Sequence, residues 1–312
     1  MSATTTHHAW TFATDEVPRL RLQAHRADVT VVHDAGPGET RVELTSRDPV
    51  EIDPVQIRTN GREISIVVPP LISSETEGFG IAFQLGRFLA AVGNTAKLRL
   101  EVHTPPGAGL DLQLEGGDIR VQGASGEVTA RTGGGDLLLE MAGKVGLSSG
   151  GGDIHAQRIE SGTIHTGGGD IVVEHVDAGT LTTGGGDIRI QQLGTGRVRT
   201  GGGDVSIGRA DGDLDASSSA GDITIGRCVA TTEISTSAGD VTAEVVSGTI
   251  TVKTGTGDIA ISVPEGIPVW QDLSTALGEA RSDLGERGEP GEGEAFIRVT
   301  ARTGTGDITL RS

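Results

Sequence analysis

Thr166-Gly167-Gly168-Gly169-Asp170-Ile171-Val172-Val173 is answered seventeen residues later by Thr183-Gly184-Gly185-Gly186-Asp187-Ile188-Arg189-Ile190. A third copy follows as Thr200-Gly201-Gly202-Gly203-Asp204-Val205-Ser206-Ile207. Outward from these, the Gly-Asp pair places Asp at 118, 136, 153, 170, 187, 204, 222, 240 and 258, at intervals of 17 or 18, and once more at 307. Helical-hairpin repeats and propeller blades need units of roughly 33 to 50 residues, so a period this short makes each unit one coil of a β-solenoid.

The residue after each Asp is apolar, as in Ile119, Leu137, Ile154, Ile171, Ile188, Val205, Ile223, Val241, Ile259 and Ile308. Two positions on stands a second, as in Val121, Leu139, Ala156, Val173, Ile190, Ile207, Ile225, Ala243, Ile261 and Leu310. That spacing predicts a strand buried on one face, with Arg120, His155, Arg189 and Thr224 pointing outward. A second short strand follows in each coil, as in Leu181-Thr182-Thr183 and Val198-Arg199-Thr200, and its parity sets Thr166, Thr183 and Thr200 in an inward ladder. The fold class expected is an all-β, single-chain β-solenoid, thin and flattened, in which Val, Ile, Ala and Thr interdigitate and rings do not fit. Composition agrees: 50 glycines, no Tyr and 2% aromatics.

All seven aromatics, Trp10, Phe12, Phe79, Phe83, Phe88, Trp270 and Phe296, lie outside the regular repeats, so the flanks read as caps over the strand edges that a solenoid exposes. We expect an N-terminal β region and cap over 1–95 and a repeat domain over 96–312. In the first, 20–22, 29–32, 42–44 and 64–68 read as separate short strands divided by Gly36-Pro37-Gly38 and Asn60-Gly61. Residues 78–93 alternate like a strand through Phe79, Ile81, Phe83 and Leu85, yet Leu85, Phe88, Leu89 and Val92 have helical spacing. Near the other end, the polar, glycine-rich stretch 285–294 predicts a flexible loop. The pattern resumes at Phe296, and 296–312 is expected to be the closing coil, stacked on the coil that begins at Asp258.

Lys and Arg number 25 against 43 Asp and Glu, a formal charge of -18, which repels nucleic acid and anionic membrane surfaces. No window approaches the ~20 apolar residues of a membrane span, and Met1 to Phe12 lacks a basic start and an apolar stretch, so a cytoplasmic location is expected. Cys228 is the only cysteine, which rules out an intrachain disulfide. It occupies the coil position also held by Ile159, Val176, Leu193 and Val246 and reads as a small core residue. A monomer or weak homo-oligomer is expected.

The Asp ladder is the one feature with binding chemistry, since stacking brings equivalent carboxylates to ~4.8 Å. The favoured reading has each Asp accepting hydrogen bonds from glycine N–H groups of its own turn, the glycines taking conformations denied to other residues. The alternative is calcium at Asp136, Asp153, Asp170, Asp187 and Asp204, although calcium-binding nonapeptide repeats separate Asp from the buried apolar residue by one position and here Asp187 directly precedes Ile188. No cofactor and no catalytic residue is expected. β-Helical polysaccharide lyases have longer coils and their clefts present rings, which are absent from 97–262. His155, His165 and His175 fall at different points of their coils and form no ligand set. Arg189, Arg197 and Arg199 are expected to pair with neighbouring acids.

The Thr-Gly-Gly-Gly-Asp-Ile repeats, together with Val102-His103-Thr104-Pro105-Pro106-Gly107 before them and Ile267-Pro268-Val269-Trp270 after them, resemble the bacterial putative-adhesin family of β-strand-repeat proteins. The resemblance covers 97 to the end, more loosely the N-terminal strands, and implies the fold without a catalytic role. The reading favoured is a non-catalytic scaffold or protein-interaction module with an unknown protein partner. The alternatives are a calcium- or cell-surface-binding adhesin and a polymerising scaffold like the bactofilins.

Overall fold

A computed structural model describes residues 4–71, 81–85, 88–92, 96–284 and 295–312. Every helix-or-strand element among them is a strand, in agreement with the expected all-β solenoid, and no helix is long and apolar enough to cross a membrane. The chain divides into two compact units, Met1–Glu160 and Ser161–Ser312, each built of parallel coils. The ambiguous segment contains a hairpin, Ile81–Leu85 antiparallel to Phe88–Val92, so alternation prevails there over helical spacing. The segment 285–294 lies outside the described residues.

In Ser161–Ser312 successive coils align residue on residue: Ile171 with Ile188, Val173 with Ile190, Leu181 with Val198, Thr183 with Thr200. All eight are buried, so the inward rows follow the period-two pattern of the sequence. Interval length also has a structural meaning. The 17-residue intervals carry one unbroken strand around the coil, as in Leu137–Ser149, Ile171–Thr183 and Ile188–Thr200. Where the interval is 18, the extra residue breaks the strand at the far corner, giving Val205–Ala210 then Leu214–Ser218, and Ile223–Cys228 then Thr231–Ala238. The exception is Ile119–Thr132, which stays continuous by absorbing its extra residue in a bulge between Val121 and Ala124. Gly123, at φ 88°, makes that bulge possible.

The order of coils departs from the order of the chain in both units. In Met1–Glu160 the two N-terminal strands expected at 20–22 and 29–32 are a single one, Arg19–Val32. Its first half lies between Glu63–Val68 and Gly109–Gly116, and its second half between Leu98–His103 and the start of Ile119–Thr132. The segment thus fills a coil position between strands that come later in the chain. Outward pairs fix its register against Gly109–Gly116: Arg21 donates from Nε to Asp111 Oδ2 at 2.9 Å, and Gln23 bonds Gln113 at 3.2 Å. His25 meets Glu115 at 2.7 Å. Antiparallel strands complete this end, with Gln56–Asn60 on Glu63–Val68, Glu39–Glu51 on Leu98–His103, and Thr4–Ala13 on Glu39–Glu51.

In Ser161–Ser312 the final segment does stack on the coil of Asp258, through Ile297–Thr305 on Thr249–Thr256 and Ile308–Arg311 on Ile259–Ser262. It is not the outermost coil. Val269–Leu277 and Ala280–Ser282 pair with its other side. The reason is visible at the inward positions. The inserted segment presents Ile297, Val299, Ala301, Ile308 and Leu310, all buried, whereas the outer one sets against them the half-buried Val269 and Leu273 and the exposed Gln271, Ala280 and Ser282. A continuous apolar row needs cover on both sides, whereas a row interrupted by Gln271 and Ser282 can face water.

Candidate functional site

The turn that carries Gly-Asp is the candidate site, and its chemistry is spent on the neighbouring coil. Asp136 accepts the Asp153 N–H at Oδ1 over 2.9 Å, and itself donates to Asp118 Oδ1 at 3.0 Å. In the second unit Asp170 Oδ1 accepts from Asp187 N–H, Asp187 Oδ1 from Asp204 N–H and Asp204 Oδ1 from Asp222 N–H, each at 2.9 Å. The bond therefore runs to the next coil and not, as expected, to glycines of the same turn. Parallel stacking aims each main-chain N–H along the stack, where the preceding carboxylate is the nearest acceptor.

Arg189 takes up outer oxygens of two of the five residues considered for calcium. Its guanidinium donates to Asp187 Oδ2 at 2.7 Å and lies 3.5 Å from Asp170 Oδ2. Among the described residues no three His, Cys, Asp or Glu side chains cluster as a metal set. Because the carboxylates already hold N–H groups, chelating calcium is expected to leave the melting temperature unchanged. A calcium-dependent rise in a thermal melt would mean specific binding to the folded chain.

The inward threonines work as clamps. Thr200 donates its hydroxyl to Gly186 O of the preceding coil at 2.8 Å and accepts Gly203 N–H of its own turn at 3.1 Å. Thr183 repeats this with Gly169 and Gly186, and Thr132 and Ser149 do so in the first unit. Each of these four hydroxyls is thus satisfied on both sides, which is why a polar residue is tolerated at that core position. Sequence reasoning placed the Thr ladder and missed this role.

It also missed two rungs. Asp28, in the inserted Arg19–Val32 strand, receives the Asp118 N–H at 3.4 Å, and its signal was the Asp28-Val29-Thr30-Val31 parity. Glu279, in the outermost coil, donates its N–H to Asp307 Oδ1 at 2.8 Å. There the signal was Thr275 four residues ahead of a Gly278-Glu279 pair.

Arg197 and Arg199 both bond Asp215 Oδ2, at 2.7 and 3.4 Å, so the expected pairing with acids holds. His155 and His165 are exposed and His175 bonds Asp177 Oδ1 at 3.0 Å. Cys228 is buried and aligned with Ala210 and Val245, so the equivalence drawn with Val246 is off by one, displaced by an irregularity after Ile225. Burial pushes its thiol pKa up, which suits an inert core residue.

One Ser–His pair in the first unit resembles a catalytic arrangement. His33 Nδ1 donates to Pro105 O at 3.0 Å, and Ser125 Oγ donates to Nε2 at 2.6 Å. Ser125 is only 8% exposed and His33 is tied to Pro105 O through its other ring nitrogen, so the pair is a pin within the fold rather than a nucleophile open to substrate. Burial holds the His33 pKa below its ordinary value, against the opposing effects of the Pro105 bond and Asp34. A depressed pKa means the unfolded chain binds the proton first. The contribution of His33 is full above about pH 6.5 and is lost as pH falls through its folded pKa. Melts between pH 7 and 5 should show a shallower decline for His33→Gln than for the parent.

Among curated proteins none matches this chain. Solved structures similar to it include a putative adhesin from Parabacteroides merdae, 11% identical, covering 98% of this chain and 96% of its own, with a TM-score of 0.38. Another is a putative adhesin from Bacteroides fragilis, 14% identical, covering 97% and 96%, with a TM-score of 0.30. Residues 18–311 match Toastrack DUF4097, a span that takes in both inserted segments and every rung of the ladder, and the chain belongs to that family.

Proposed function

We propose that this chain is a non-catalytic interaction module, a β-solenoid scaffold that displays a regular outer surface to a protein partner. The observation that carries this is the commitment of the repeat's own chemistry: Asp, Thr and the turn N–H groups are bonded coil to coil, leaving them to hold the stack rather than a substrate. Residues 1–95 act in this reading as a cap built onto the repeat domain 96–312, since Arg19–Val32 pairs with Gly109–Gly116. Against a bactofilin-like polymer stand Gln271 and Ser282, which a second copy's coil would have to bury without partners. The test is affinity capture from soluble and envelope fractions of the native host, followed by reconstitution with the purified captured protein. Saturable binding in calorimetry supports the module. Turnover of a substrate by the purified chain, lost on denaturation, overturns it.

A further inference from the structure

The insertion of Ile297–Thr305 between two earlier strands assembles a surface that no stretch of sequence contains. On the outward face of these coils, Trp270, Arg298 and Thr249 align across three strands, and four residues further along Ser274, Arg302 and Lys253 do the same. The strands are ~4.8 Å apart and the two rows ~13 Å apart. Arg298 lays its guanidinium 5.1 Å over the Trp270 ring and 5.9 Å over Phe296. Both rings remain open to solvent, Trp270 at 48% and Phe296 at 39%. Arg302 is held by Asp272 at 3.1 Å, but among the described residues no carboxylate lies within ion-pair distance of Arg298 or Lys253. Elsewhere in this unit Arg189, Arg197 and Arg199 are paired, while Arg227 and Arg311 share with Arg298 the lack of a carboxylate at ion-pair distance among the described residues.

We infer that this face binds an anionic polysaccharide, a chain of sugar rings bearing carboxylate or sulfate groups. The inference goes beyond the reading of the chain as a protein-interaction module and gives one of its outer faces a ligand of another class. An exposed indole offers a flat apolar surface for the C–H face of a sugar ring, and the neighbouring hydroxyls of Thr249 and Ser274 suit sugar hydroxyls. Arg298 and Lys253 supply charge-assisted hydrogen bonds to the acid groups, and Arg298 is pre-oriented by the rings it covers. Charge selects among anionic partners. The whole chain carries -18, so a broad anionic surface such as a membrane or a duplex meets repulsion over most of its contact. A single glycan strand meets less of that charge: between the two rows stand Thr251, Thr300 and Asp272, the last already paired with Arg302, and Glu233 lies one strand further on.

Calorimetry of the full chain with heparin and with polygalacturonate, against neutral dextran, tests this. We expect binding to the two anionic polymers and none to dextran, weakened about tenfold or more by Trp270→Ala, Arg298→Gln or Lys253→Gln with melting temperature unchanged. Arg199→Gln, the same loss of charge on another row, should leave affinity unaltered. Equal affinity for dextran, undiminished binding in the three variants, or no binding to either anionic polymer overturns the inference. So does binding confined to phosphatidylserine vesicles. Reconstitution with a captured protein uses none of these variants, so loss of the glycan site alone leaves the module reading standing.

Discussion

Truncation after Glu294 is expected to remove one coil of the C-terminal unit, to leave the outer one without its partner, and to drive the chain into self-association. The deleted segment is paired on both flanks, to Thr249–Thr256 on one side and to Val269–Leu277 on the other. It contributes Ile297, Val299, Ile308 and Leu310 to the core, each no more than 1% exposed, and burial of such a side chain is worth about 1.5–3 kcal/mol. Its loss also uncovers Ile250, Val252, Ile259 and Ile261 on the coil below, together with an open strand edge. The outer coil cannot slide down to replace it. Register sets Gln271 where Val299 stood, Ala280 where Ile308 stood and Ser282 where Leu310 stood. That would bury an unpaired amide, at about 1–3 kcal/mol, and leave voids of the kind that cost about 2–5 kcal/mol for Ile→Ala. Size-exclusion chromatography and a thermal melt read the outcome. A truncated chain that elutes as the parent does and melts at the same temperature would mean that the inserted order of coils is wrong.

Gly186→Ala should destabilise the chain severely while Gly185→Ala, one residue away, should not. A Cβ on Gly186 would stand 2.1 Å from Gly169 O and 2.7 Å from Asp170 Oδ1, whereas one on Gly185 meets nothing within 4 Å. The same alternation holds at Gly203 and Gly202, where the nearest atoms are at 2.1 and 3.9 Å. None of these four glycines has positive φ, so the expectation that the triplets take conformations closed to other residues is corrected. Their requirement is space: turns stacked ~4.8 Å apart leave no room for a methyl group aimed down the stack. Overpacking of this kind costs typically 1–3 kcal/mol, and for a unit of this size each kcal/mol lowers the melting temperature by roughly 2–4 °C. Gly185→Ala should be neutral or gain up to about 1 kcal/mol from a less flexible unfolded chain. Equal melting temperatures for the two variants would show that the turns are not in direct contact.

Both expectations depend on features of different legibility. The coil period, the inward rows and the Thr ladder could be read because they are local: alternation within one strand dictates which face is buried, and the Gly-Asp spacing counts one turn per coil. The 17- and 18-residue intervals were equally visible, but their consequence was not. Whether an extra residue breaks a strand, as after Ala210, or bulges, as at Gly123, depends on the coil against which it is stacked. The calcium alternative followed from carboxylate spacing and from the likeness of the glycine-rich turns to calcium-binding nonapeptide repeats, and the direction of the Asp bonds, set by main-chain N–H groups of the next coil, could not be seen from one coil.

The sequence by itself determined that this chain forms a parallel β-solenoid, that its core is made of small aliphatic side chains and threonines, and that its aromatics stand apart from the repeats. Those properties repeat every coil and need only nearest-neighbour stacking. The tertiary structure alone decided the order of coils at the chain ends. Arg19–Val32 pairs with strands about 90 residues further on, and Ile297–Thr305 separates two segments that precede it. Period-two parity makes every coil edge a compatible partner for every other, so local pattern cannot choose among them. The choice falls to coverage of the inward row: an apolar row such as Ile297, Val299 and Ile308 must be enclosed on both sides, and a row holding Gln271 and Ser282 is stable only where it faces water. The same ordering brings Trp270, Arg298 and Lys253 together, and so the face assigned here to an anionic glycan exists only in the folded chain.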